Sequence, residues 1–200
     1  FPIAVACDPA FNFVYEANIR YLHHLGEVTY FSPLADTSLP DAGFVYLPGG
    51  YPELYLAALS ANRQMLQSIR RYVESGGKLL AECGGMMYLC DEIRDKNGYV
   101  YPMAGVLHQS ATMENMKLRL GYRTLLYNET RLKGHEFHYS RLVEQQNPLP
   151  SCAVAYTAKG VETDTPLYHY KNVWAGYTHL YWADPVGNEW FTKFVIDGNI

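Results

Sequence analysis

The segment Lys78-Leu-Leu-Ala-Glu-Cys-Gly-Gly-Met-Met-Tyr88 constrains the fold of this chain more than any other. An apolar run enters a cysteine, two glycines follow, and a helix-compatible stretch leaves. That order describes a tight strand-to-helix turn with a reactive atom at its tip. Such a turn strains the dihedrals of Cys83 and brings the backbone ahead of it against the backbone behind it. Small residues must flank it, and Ala81 and Gly85 stand two positions to either side. A helix starting at Gly84 aims free N–H groups and the positive end of its dipole at the sulfur, which predicts a lowered thiol pKa and a thiolate nucleophile. The competing reading is a buried core cysteine, the ordinary fate of a lone thiol. The glycine pair and the strand-to-helix setting favour the nucleophile.

The surrounding pattern alternates strands with helices. Pro2–Cys7, Val28–Phe31, Phe44–Leu47 and Leu79–Ala81 read as short buried strands. Asn12 is placed to cap a helix over 13–25, with Gly26 past its end, and Asn62 to cap a long helix whose Met65, Leu66, Ile69, Tyr72 and Val73 share one face. This alternation predicts a parallel sheet with crossover helices. After about Asp91 the pattern changes to short, partly alternating strands near 99–106, 117–127, 135–142, 153–158, 167–170 and 173–180, a more antiparallel region. A final helix is expected over 188–196. One compact domain spanning 1–200 is expected, and the start inside a core strand predicts that a longer polypeptide precedes Phe1.

A length of 200 residues allows one sizeable core, and 48% hydrophobic with 18% charged residues is ordinary for a globular protein. The net charge of −4 gives no basic footprint for nucleic acid. No apolar run is long enough for a membrane span, and no signal peptide opens the chain. Cys7, Cys83, Cys90 and Cys152 lack metal-type spacing, which predicts free thiols, a cytoplasmic location and no metal.

Pro48-Gly-Gly-Tyr-Pro-Glu53 follows the third strand, on the same sheet edge as Cys83, where open parallel sheets bind ligands. A backbone N–H near Gly50, with that of Gly84, can form an oxyanion hole; the alternative is a mere turn. A thiolate also needs a base. Among seven histidines, His23 and His24 fall on the first helix, away from that edge. His179, in Trp174-Ala-Gly-Tyr-Thr-His-Leu180, sits at the far end of an apolar strand and can face Cys83. His135 and His138, in Gly134-His-Glu-Phe-His-Tyr-Ser140, are three apart and point to opposite faces of a strand, which argues against a shared metal. Either can line the site, with Glu136 and Tyr139 as polar handles.

Taken together, Leu47–Glu53, Ala81–Leu89, Gly134–Ser140 and Gly176–His179 resemble the class I glutamine amidotransferases, in the branch of the cobyrinate and cobyrate synthases. The resemblance spans nearly the whole chain. It implies an α/β fold with a flavodoxin-like parallel sheet. It implies Cys83 as nucleophile, His179 as its activator and Gly50 and Gly84 as oxyanion donors, with Gly49, Tyr51, Met87, His135, Glu136, His138 and Tyr139 as lining candidates. Glutamine is the implied substrate. Its ammonia would pass to an N-terminal synthetase domain that uses ATP and Mg to amidate the a and c carboxylates of cobyrinate, and this domain itself needs no cofactor. Two departures stand out. Tyr181 occupies the position where many class I members carry a glutamate completing a triad, which fits a branch with a Cys-His dyad but leaves the orientation of His179 to another group. Met87 stands where many carry a glutamine, which leaves the substrate α-group contacts open.

Three rival readings remain at this level. One is the same chemistry feeding hydrogenobyrinate or a nickel tetrapyrrole. Another is a different cysteine hydrolase on the same fold. The third is a non-catalytic interaction module.

Overall fold

The computed structural model describes residues 1–197. Its centre is a six-stranded sheet. Across it the strands lie in the order Leu167–Tyr170, Val173–Gly176, Lys78–Glu82, Phe44–Leu47, Pro2–Ala6 and Glu27–Phe31. Every pairing is parallel except that of Leu167–Tyr170 with Val173–Gly176, a hairpin at one edge. Strand residues alternate between two buried layers. Ile3, Val5, Phe44, Tyr46, Leu80 and Trp174 face Leu22, Trp182, Trp190 and Phe191. Ala4, Ala6, Val45, Leu47, Leu79 and Ala81 face Met65, Ile69, Val73 and Tyr88. Burial on both faces explains why these strands read as continuous apolar runs.

The second half builds two smaller sheets. A five-stranded antiparallel sheet joins Glu162–Thr163, Val154–Thr157, Arg119–Tyr127, Thr130–His138 and His179–Leu180 in that spatial order. A four-stranded sheet joins Arg141–Leu142, Ser110–Thr112, Glu92–Arg94 and Val100–Pro102.

The expected cap at Asn62 is present. Its side-chain oxygen accepts from the Met65 N–H at 3.3 Å, and its amide donates to the Pro33 and Asp36 carbonyls at 2.8 Å each. Elsewhere tertiary contacts moved the boundaries. The first helix runs Glu16–Leu25 and Asn12 does not cap it, because Phe13 is held extended in a bridge to Gly49, its N–H donating to the Gly49 carbonyl at 3.0 Å. A short 3-10 turn over Pro52–Leu54 and a helix over Leu56–Ala61 follow the glycine loop, where the sequence pattern had indicated neither. The final helix begins at Pro185, capped by Asp184, and winds as a π-turn over Lys193–Asp197.

The expected strand over 173–180 is two strands. Val173–Gly176 stays in the central sheet, the chain turns at Tyr177 and Thr178, and His179–Leu180 pairs with His135 and Gly134 of the antiparallel sheet. The imidazole of His179 therefore sits where the two sheets meet.

Candidate active site

Cys83 lies between the strand Lys78–Glu82 and the helix Gly84–Leu89, with φ 50° and ψ −107°. A non-glycine residue in that region carries roughly 1–3 kcal/mol of strain, held only because the surroundings over-determine it. The Cys83 N–H donates to the Gly176 carbonyl at 2.7 Å and its carbonyl accepts from the Met87 N–H at 3.0 Å. Gly85 has no room for a side chain, since a Cβ there would overlap the Leu47 carbonyl. The elbow is thus locked on both sides.

A small cavity of about 20 Å³ opens over the sulfur, lined by Phe13, Gly50, Tyr51, Cys83, Phe137 and His179. It joins residues from five separate segments at the carboxyl edge of the central sheet. Cys83 and His179 are 4% and 3% exposed, so both face this cavity rather than bulk water. The Cys83 thiol donates to the Phe137 carbonyl at 3.7 Å. The amide nitrogen of Gly50 lies 3.3 Å from where a Gly84 Cβ would stand, so the two main-chain segments proposed as oxyanion donors are in contact.

Packing, rather than an acid at position 181, sets the His179 ring. It stacks on His135 with centroids 4.8 Å apart and planes 13° from parallel, and Phe13 meets it edge-on at 4.7 Å. Gly49 lies against its other side. His135 is in turn hydrogen-bonded at Nδ1 to the Tyr15 hydroxyl. Nδ1 of His179 is buried with no hydrogen-bond partner among the described residues.

The electrostatics differ from the thiolate expected at a helix terminus. Burial, followed by the Glu53 carboxyl, pushes the Cys83 thiol up to about 12, and the Gly84 N–H pulls it only partly back. Burial, then neighbouring His135 and His138, lower His179 to about 3. The helix is only six residues long, and of the groups acting on the thiol only the Gly84 N–H favours a charged sulfur. In this closed state the pair is neutral thiol beside neutral imidazole.

The remaining lining candidates divide. Gly49, Tyr51 and His135 touch the cavity or the His179 ring. Met87 is buried one helical turn behind Cys83 and receives the Ser140 hydroxyl at its sulfur, 3.2 Å away. His138 and Glu136 project to the opposite face of their strand from His135 and hold each other at 2.7 Å, with Thr165 donating to Glu136 at 2.8 Å and Arg123 pairing with it. That carboxylate is fully occupied within the protein. Tyr139 is partly exposed and packs edge-on against Phe137. Phe13, Phe137 and Glu82 belong to the site or its support, and the sequence pattern did not mark them. Only Glu82 carried a signal, a carboxylate inside a buried strand next to the cysteine.

Among the described residues no cluster of histidine, cysteine or acidic side chains can hold a metal ion, and no helix is long and apolar enough to cross a membrane.

Comparison with known proteins agrees with this architecture. Among solved structures, PurLQS from Thermotoga maritima superposes with a TM-score of 0.59 at 17% identity, covering 98% of this chain and 95% of that one. A chain described as a glutamine amidotransferase gives 0.59 at 18%, covering 96% and 98%. At that identity the likeness speaks to the fold. Sequence relatives are nearer. The hydrogenobyrinate a,c-diamide synthase of Pseudomonas aeruginosa is 40% identical over 185 residues, which is 90% of this chain and 41% of that protein. The cobyrinate a,c-diamide synthase of Fusobacterium nucleatum is 40% identical over 188 residues, again 90% and 41%. The chain thus spans less than half the length of these curated relatives. The CobB/CobQ-like glutamine amidotransferase domain matches residues 2–186, a span holding the elbow, the glycine loop and His179 alike, and the chain belongs to that family.

Proposed function

We propose that this chain is the glutaminase part of an ATP-dependent amidoligase acting in cobalamin biosynthesis. The observation that carries the reading is the shared cavity of Cys83 and His179, with the Gly50 and Gly84 main chain beside it. A neutral imidazole next to a neutral thiol is a competent starting point, because His179 can take the Cys83 proton as the sulfur attacks. The nucleophile adds to the carboxamide carbon of glutamine, and the Gly50 and Gly84 N–H groups receive the oxyanion. Protonated His179 then gives its proton to the departing ammonia, leaving a γ-glutamyl thioester. Water deprotonated by His179 hydrolyses the thioester to glutamate and restores the thiol.

The acceptor proposed is the pair of a and c carboxylates of cobyrinate, with hydrogenobyrinate the second reading, since the relatives carry both names. ATP and Mg are assigned to a synthetase part of the same polypeptide, supported by the coverage of only 41% of those relatives. A cytoplasmic location is supported by four unbonded cysteines.

In the full-length polypeptide, Cys83→Ala is expected to abolish glutamine-dependent amidation and to leave ammonia-dependent amidation intact. Persistent glutamine use by that variant would overturn the reading.

A further inference from the structure

The two-residue strand bearing His179 is too short to hold itself, and two buried side chains grip the residue after it. The Leu180 N–H donates to Glu82 Oε1 at 3.0 Å, and the Leu180 carbonyl accepts from the Asn18 amide at 2.8 Å. Glu82 directly precedes Cys83. One carboxyl therefore ties the residue before the candidate nucleophile to the residue after the candidate base. Its second oxygen shares a hydrogen bond with the Tyr46 hydroxyl at 2.6 Å, and the Tyr46 ring is itself wedged edge-on against Trp182, centroids 4.9 Å apart. The Trp182 N–H donates to Asn18 at 2.9 Å, so the segment 180–182 is anchored at both ends of its path.

We propose that Glu82 is the positioning residue of this site, supplying through the backbone of Leu180 the orientation that an acid at position 181 would supply through the imidazole ring. This rests on the glutaminase reading above. The acceptor is needed; a negative charge is not. An ionised carboxylate next to Cys83 would oppose a developing thiolate. Burial holds the Glu82 carboxyl protonated up to about 8, consistent with a neutral brace. Glutamine is then a working isostere: its carbonyl receives the Leu180 N–H and its amide donates to Tyr46. Aspartate keeps the acid but is one methylene too short to reach Leu180.

The test uses the full-length polypeptide with Glu82→Ala, Glu82→Asp and Glu82→Gln, measuring kcat and KM for glutamine, ammonia-dependent amidation, and the intact mass of protein quenched during turnover. Glu82→Ala and Glu82→Asp are expected to lower kcat by roughly 10- to 100-fold, the scale of a misplaced catalytic group. KM should stay within about threefold, and the fraction of protein trapped as glutamyl thioester should stay near the native level, because His179 serves both its formation and its hydrolysis. Glu82→Gln is expected to recover most of kcat. If Glu82→Ala does not fold, Glu82→Asp against Glu82→Gln decides the matter. Wild-type kcat in Glu82→Asp, or a folded Glu82→Gln as impaired as Glu82→Asp, overturns the proposal. Cys83→Ala run alongside separates the two readings: glutamine use by that variant removes the glutaminase assignment, whereas its loss together with an unimpaired Glu82→Asp removes only the brace.

Discussion

Gly49 and His179 are in direct contact: the α-carbon of the glycine faces the edge of the imidazole, and a Cβ there would overlap Cε1. The Gly49 carbonyl also receives the Phe13 N–H, so the loop cannot retreat without releasing the ring that packs against His179. Gly49→Ala is expected to displace the imidazole and to lower kcat for glutamine by about 100-fold, with a smaller change in KM. Steady-state glutaminase kinetics of the full-length protein check this, and unchanged kcat would show that the ring position does not matter.

The cavity over Cys83, about 20 Å³, has room for about one water and none for a glutamine side chain. Phe13, Tyr51 and Phe137 close it, and Tyr51 is the most accessible of its walls after Phe13. Tyr51→Ala is expected to speed alkylation of Cys83 by a small neutral thiol reagent about tenfold. Mass mapping of the labelled cysteine measures this; equal rates would mean that another wall controls access.

Glu82 and His179 give stability opposite dependences on pH. Burial raises Glu82 from 4.5 to about 8, so the folded state holds its proton more tightly than the unfolded chain. Its contribution is full below 4.5 and is lost as pH rises to 8. Burial and His135 lower His179 from 6.5 to about 3, so the unfolded chain takes that proton first. Its contribution is full above 6.5 and is lost as pH falls towards 3. The stability difference between Glu82→Gln and the native chain should therefore move in the variant's favour from pH 4.5 to 8. The difference for His179→Gln should do so from pH 6.5 down to 3. Each change is on the order of a few kcal/mol at most. Urea unfolding of each variant across this range is the measurement, and a flat difference would contradict the assigned cause.

Asn62 joins the long helix to the loop at residues 33–36 through three hydrogen bonds. Asn62→Ala removes a cap and leaves two carbonyls without that donor, and it is expected to cost about 1–3 kcal/mol. Asn62 does not line the cavity over Cys83, so glutamine turnover should persist at temperatures where the variant remains folded. Chemical denaturation gives the stability, and a change below about 0.5 kcal/mol would show that the cap is dispensable.

The local devices were legible in the chain itself. Strands buried on both faces read as apolar runs, the Asn62 cap sits where the periodic face of the helix begins, and the Cys83-Gly-Gly elbow is declared by residues whose conformational needs are local. The Phe13 bridge and the break after Gly176 were not legible, because each is decided by a partner distant in sequence, whereas the start of the last helix was marked locally by Asp184 and Pro185.

Sequence by itself determined an α/β chain with a cysteine at a strand-to-helix turn and a histidine near the end of the polypeptide. Only tertiary structure decided that His179 leaves the central sheet, that His135 and Gly49 hold its ring, and that Glu82 reaches Leu180. It also decided the charge state, since burial outweighs one short helix's amides and leaves the thiol and imidazole neutral. The physical reason is range. Backbone strain and helix caps act within a few residues, whereas desolvation and side-chain contacts depend on what the whole fold packs around a group.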